Sequence, residues 1–188
     1  MKLSNLLLEK KSAIVKKWLN EIYDSYPVDT SQFLKGQTDR FLNPVGYTFS
    51  QAIEGLFDEI ILNDTVSEKL LLLLDNIIRI KAVQSSNPSY AVSFIFLLKQ
   101  AIRTTLAKEI REQQHVEALQ RTESRIDDTA LLAFNIYMKC REKIHEIKVK
   151  EVKTMYFRLL KRANLITDIG DMHPAGDAEA QLTQKIEG

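Results

Sequence analysis

Residues 123–163 read ESRIDDTALLAFNIYMKCREKIHEIKVKEVKTMYFRLLKRA. The run has no glycine, no proline and no cluster of turn-forming residues, so nothing in it stops a helix once one has started. At 1.5 Å per residue such a helix is roughly 60 Å long. That exceeds the core of a small domain, so part of it is expected to project or to meet a partner. Ile126, Ala130, Ala133, Tyr137, Cys140, Ile144 and Ile147 follow one another in steps of four and three, as in a coiled-coil seam. Continued, the seam falls on Glu151, Thr154 and Arg158 and stops being apolar. A second stripe takes over: Val149, Val152, Tyr156, Leu159 and Ala163, turned by about one residue, or ~100°. Two arrangements fit. The first half packs on its own domain while the second meets another chain, or the helix is buried on two sides of one bundle. On the first reading the five residues of the second stripe are interface residues.

Upstream the same punctuation delimits further helices. The first is expected from Ser4 to about Tyr26, with Leu7, Ile14, Trp18 and Ile22 on one face, and Pro27 ends it. A shorter helix capped by Thr30 or Ser31 carries Phe33, Leu34 and Phe41. Asn43-Pro44-Val45-Gly46 then breaks the chain, with Asn43 as cap and Pro44 opening the next helix. That helix shows a core stripe of Phe49, Ile53, Leu56, Phe57 and Ile60. Thr65 and Glu68 have capping-box spacing and should open a helix that is apolar on nearly every side. Ser85-Ser86-Asn87-Pro88 is a second cap-plus-proline signal, before a helix carrying Tyr90, Phe94, Leu98 and Ile102. After Leu106 the chain turns polar, and a bend or an exposed helical stretch is expected. The sum is an all-α bundle of about six helices with a very long C-terminal helix. The domain is expected over 1–163, followed by an acidic, flexible tail over 164–188 that holds Gly170, Pro174, Gly176 and several carboxylates.

Composition narrows the function. The 188 residues carry a net charge of +1, which argues against whole-protein attraction to nucleic acid or a membrane. Cys140 is the one cysteine, so neither an internal disulfide nor a multi-Cys zinc site is possible, and a reducing, cytoplasmic setting is expected. The most apolar stretch, Tyr90 to Leu98, is too short to span a bilayer of ~30 Å, and the N-terminus does not read as a signal peptide.

The sharpest enzyme-like pattern is a pair of Glu-x-x-His spacings, Glu112 with His115 and Glu142 with His145. Di-iron bundles use such pairs, but their ligands project into an apolar core. Glu112 and His115 sit in the most polar stretch of the chain, and solvated helix-face residues explain them. His145 has the chemistry of a haem ligand and reads better as a surface or interface histidine. Asp127 and Asp128 are adjacent on a helix and diverge, so they form no catalytic pair. Cys140 falls inside the first seam and reads as a small core residue. No catalytic, cofactor-binding or metal-binding residue is assigned. From Lys139 to Arg162 nine Lys and Arg face three Glu. Lys148, Lys150, Lys153, Arg158, Lys161 and Arg162 make that end basic and form a candidate partner-facing set. With no aromatic stacking array beside them, a partner protein is expected rather than nucleic acid.

Two stretches carry a resemblance. LLLEKKSAIVKKWL over 6–19 and FLKGQTDRFLNPVGYTFSQAIEGLFDEI over 33–60, above all Asp39-Arg40-Phe41-x-Asn43-Pro44-Val45-Gly46, resemble the RsbRD N-terminal domain family. These are the helical sensory domains of RsbR-type co-antagonists in bacterial stress signalling. The resemblance implies a bacterial, cytoplasmic, globin-like bundle, often dimeric, that acts as an input module without enzymatic activity and without haem. No catalytic residue carries over. RsbR-type proteins carry a STAS output domain after the sensor, whereas only a short acidic tail follows the long helix here, so either the output is expected on another chain or the role differs. The reading is a non-enzymatic sensory domain that signals through its long helix to a dimer mate or an output protein. The alternatives are a structural adaptor docking a partner protein and a haem- or metal-binding bundle.

Overall fold

The computed structural model describes residues 3–36, 41–84, 87–111, 115–163 and 165. The expected tail over 164–188, apart from Leu165, lies outside these residues, as do Asp39, Arg40, Ser85, Ser86 and Glu112. Among the described residues every regular element is helical. The chain divides into two compact units, Met1–Lys143 and Ile144–Gly188.

The helix expected over Ser4–Tyr26 is two helices, α1 (Leu3–Glu9) and α2 (Lys11–Asp24). Lys10, at φ −95° and ψ 7°, leaves helical geometry. Its N–H still bonds Leu6 O at 3.0 Å, and its carbonyl still accepts from Ile14 N–H at 3.0 Å, so the ladder runs on and the break is a kink. Leu3, Leu6 and Leu7 of α1 and Ile14, Trp18 and Ile22 of α2 are all buried. The Ser25 hydroxyl donates to Ile22 O at 2.6 Å and closes the end before Pro27.

α3 (Val28–Gly36) opens straight after Pro27 rather than at Thr30 or Ser31. The Pro27 carbonyl accepts from Ser31 N–H at 2.9 Å and so closes the first turn. Leu34 is buried, while Phe33 and Phe41 are exposed, Phe41 lying beyond the helix. α4 (Pro44–Leu62) begins as the local chemistry dictates: Asn43 Oδ1 accepts from Gly46 N–H at 2.8 Å. A Cβ on Gly46 would strike the Asn43 side chain, so the cap requires glycine there. The stripe Phe49, Ile53, Leu56, Phe57 and Ile60 is buried as its spacing requires.

α5 (Glu68–Gln84) is capped by Ser67, whose Oγ accepts from Leu70 N–H at 2.9 Å, and not by Thr65. The reason lies across the α4–α5 turn. The largely buried carboxylate of Glu59 accepts from the Ser67 hydroxyl at 2.6 Å and the Asn63 amide at 2.6 Å, and pairs with Lys69 at 3.0 Å. The Ser67 hydrogen bond, then that from Lys69, holds the Glu59 carboxyl below its ordinary 4.5. A carboxylate with a depressed folded value adds stability above the unfolded value and loses it as pH falls through the folded one. Glu59→Gln should therefore be less stable than the parent at neutral pH, and the gap should close as pH falls below the ordinary 4.5. Urea midpoints over that fall in pH check it, and a gap independent of pH would contradict it.

α6 (Pro88–Thr105) starts on Asn87, whose side chain accepts from Ser89 N–H at 3.0 Å. α4 packs on α5, and α2 on α6, in the most extensive helix contacts. Of the polar stretch after Leu106, residues 106–108 form a turn and Glu109–Arg111 a short 3-10 segment. α7 (Val116–Arg162) follows, 47 residues without a break and seven residues longer at its start than its apolar pattern indicates. Residues 116–143 belong to the first unit and 144–162 to the second.

In the first unit Leu119, Ile126, Ala130, Ala133 and Tyr137 of α7 are buried. Charged contacts set their register: Arg103 is bidentate on Glu123 at 2.6 and 2.8 Å, and Lys99 pairs with Asp127 at 2.6 Å. Arg141 donates to Ala82 O at 3.0 Å, near the C-terminal end of α5. Exposed ion pairs of this kind contribute about 0–1 kcal/mol each, so burial of the seam supplies most of the adhesion.

Candidate functional site

The residues singled out by the sequence lie in the second unit. Val149, Val152, Tyr156, Leu159 and Ala163 are all exposed, with Val152 at 46%, Tyr156 at 58% and Leu159 at 51% of full accessibility. Met155 and Leu160, which the stripe had left out, are exposed too. At 100° per residue these two lie beside the five, and the seven together cover an arc of about 140°. Lys150, Arg158 and Lys161 fall on the opposite side, Lys153 and Arg162 flank the apolar arc, and Lys148 falls inside it; all six are exposed. So wide an exposed apolar arc is unusual on a helix face turned to solvent.

The first seam fades in step. Tyr137 is buried, Cys140 and Ile144 are half-buried, and Ile147 is exposed. Burial pushes the Cys140 thiol up, which keeps it a neutral core-edge group and not a reactive thiolate.

The histidine pairs separate. Glu142 and His145 are each exposed. His115 is buried, against the reading of a solvated helix face, because it immediately precedes α7 and lines a pocket with Leu3, Leu7 and Ala118. Among the described residues no group of three or more His, Cys, Asp and Glu side chains is placed to hold a metal ion. Among those residues, too, no helix is long and apolar enough to cross a membrane.

A second place was not singled out by the sequence. Lys81, on α5, is 2% exposed. Its Nζ lies 4.9 Å from the ring centre of Tyr26, 5.0 Å from Tyr90, and 5.6 Å from Phe49 and Phe94. These rings come from α4, α6 and the turn after α2. Trp18 fixes the arrangement by donating its indole N–H to Phe94 O at 2.6 Å, and Tyr90 does so by donating to Ser25 O at 3.1 Å. Among the described residues no carboxylate pairs with Lys81. Its polar contact is the Tyr26 hydroxyl, which accepts from Nζ at 3.3 Å. Burial pushes the Lys81 ammonium down from 10.5 to about 8, and pushes the Tyr26 phenol up to about 12. Ring faces attract the cation and partly oppose the loss of water around it.

Tyr26 and Phe49 also line a pocket of about 210 Å³ with Thr30, Phe33, Leu34 and Gln84 among its walls. The sequence did hold a signal for Lys81. Leu74, Ile77, Ile78 and Lys81 stand at helical spacing on one face of α5, and a lysine on a buried face is the anomaly to follow.

The model of one protein family, described as the RsbT co-antagonist protein rsbRD N-terminal domain, matches residues 12–151, from the second residue of α2 into α7. No curated protein and no solved structure matches the chain.

Proposed function

The chain belongs to the RsbT co-antagonist protein rsbRD N-terminal domain family, and on that footing we propose that it is a non-enzymatic signal-sensing domain of a bacterial cytoplasm, transmitting through α7 to a second copy of itself. The observation that carries this reading is the exposed apolar arc over 149–163, on a helix whose upstream half is part of the domain core. A helix shared between a core and a docking face links the two. Any signal that stabilises one packing of the core around Ile126, Ala133 and Tyr137 biases how the far end is presented. The turn of the apolar face by ~100° near Ile147 marks where one role passes to the other.

In a parallel, side-by-side pair the second stripes face each other, and equivalent residues meet across the axis. Leu159→Cys, in a Cys140→Ala background, should form a covalent dimer under mild oxidation. Lys150→Cys, on the opposite side of the helix, should not. Equal cross-linking at both positions, or none at either, contradicts the pairing.

A second reading has its own observation. Between residues 144 and 163 six basic residues stand against Glu146 and Glu151. That balance suits an acidic partner protein and an adaptor role. Stoichiometric recovery of such a partner, with no self-association, favours it.

A further inference from the structure

The buried amine of Lys81 needs an account that the signalling reading does not supply. A lysine excluded from water is normally paired with a carboxylate. Here, among the described residues, it contacts ring faces and one phenol. That phenol, Tyr26, stands between the amine and the 210 Å³ pocket. Its oxygen accepts from Lys81, which leaves its own proton to donate. In the present state it donates to Gln84 Oε1 at 3.5 Å, a distance at which a hydrogen bond is weak. Gln84 lines the same pocket and carries an amide N–H₂ of its own. Tyr26 and Gln84 thus offer donors with a positive charge behind them, Phe33, Leu34 and Phe49 are apolar walls, and Tyr23, Thr30 and Asn43 complete the lining.

We propose that this pocket binds a small apolar monocarboxylate, its carboxylate accepting from the Tyr26 hydroxyl and the Gln84 amide, with the Lys81 ammonium as the buried countercharge. Size sets the class. A dry apolar cavity of about 150 Å³ holds a benzene ring, so 210 Å³ holds a ring or a short chain with one carboxylate. An amine ligand would face like charge, and a dicarboxylate would place its second charge against the phenyl rings. A neutral alcohol fits by shape and leaves the amine unpaired. The high proton affinity of Tyr26 keeps the phenol a donor at neutral pH. This assignment names an input for the sensory reading, but it is a claim about the pocket and is tested without reference to self-association.

The test is calorimetric titration of the full chain with benzoate and hexanoate, each against its neutral counterpart, benzyl alcohol and 1-hexanol. Trp18, the one tryptophan, gives a second readout by fluorescence, since it bonds to Phe94 of the same cage. The carboxylates should bind about tenfold or more tightly than the alcohols at pH 7. Lys81→Met should remove that preference and leave alcohol affinity within about twofold. Leu34→Trp should abolish binding of both by filling the pocket. Equal affinity for acid and alcohol, acid binding unchanged in Lys81→Met, or no binding of any probe at 10 mM would each overturn the proposal. Thermal denaturation of both variants confirms that they are folded before they are titrated.

Discussion

Lys81→Met should raise the stability of the bundle by about 2 kcal/mol at pH 7, which for a chain of this size is roughly 4–8 °C in Tm. Methionine has nearly the shape of the lysine stem and no charge to bury. The expected gain follows from the lowered proton affinity, 10.5 to about 8. At about 1.4 kcal/mol per tenfold change, the folded chain loses roughly 3 kcal/mol by keeping that proton. Attraction to the four ring faces offsets part of it. The direction with pH is fixed by linkage. Below about pH 8 folded and unfolded chains both carry the proton, and the loss is complete. Between about 8 and 10.5 the unfolded chain binds a proton that the folded one has released, so parent stability climbs with pH. Above 10.5 both forms are neutral and the loss has gone. The advantage of Lys81→Met should therefore be full at pH 7 and should shrink as pH rises from 8 towards 10.5. Urea unfolding followed by circular dichroism and by Trp18 fluorescence measures it, and coincident curves support the two-state treatment. A variant less stable than the parent at pH 7 would show that the aromatic cage more than compensates the charge.

Trp18→Ala should have the opposite effect and a larger one. Trp18 is wholly buried on α2, and its indole N–H donates to Phe94 O on α6 at 2.6 Å. Truncating a buried tryptophan removes its transfer free energy and leaves a void, for a loss of about 3–5 kcal/mol. Ordinary domains have only about 5–15 kcal/mol in all, so the variant should be close to unfolding at 37 °C. Trp18→Phe refills most of the space and lacks the donor, and should lose about 1–2 kcal/mol. Circular dichroism at 222 nm reads both, since fluorescence disappears with the residue. A loss below about 1 kcal/mol for Trp18→Ala would mean that α2 and α6 are held by something other than this contact.

The parts of the fold legible in the sequence are those decided within a few residues. Asn43-Pro44 and Asn87-Pro88 cap their helices as local chemistry requires, and the stripe from Phe49 to Ile60 is buried where its spacing puts it. Two of the misses were decided by groups more than a turn away in sequence, which the local pattern does not weigh. Ser67 replaces Thr65 as the cap of α5 because Glu59, eight residues earlier, draws its hydroxyl. α7 starts at Val116 and not near Glu123 because Leu119, seven residues before Ile126, is buried and extends the first seam backwards through a polar stretch. Lys10 kinks the first helix without any breaker residue. The same holds for the candidate sites. The stripe over 149–163 was legible because a helix repeats regularly. The cage around Lys81 was not, because its rings come from separate elements at positions 26, 49, 90 and 94 that only the folded chain brings together.

The central claim is that the far half of α7 is a docking face for a second copy of the chain. Sedimentation equilibrium over a range from 1 to 100 μM reads it most directly, on the parent and on a variant carrying Tyr156→Glu and Leu159→Glu. Both residues are half-exposed or more, so the variant should keep its helix content and Tm at low concentration. The parent should sediment as a dimer at the upper end of the range, and the variant as a monomer throughout. A parent that stays monomeric, or a dimer that survives both glutamates, would contradict the account.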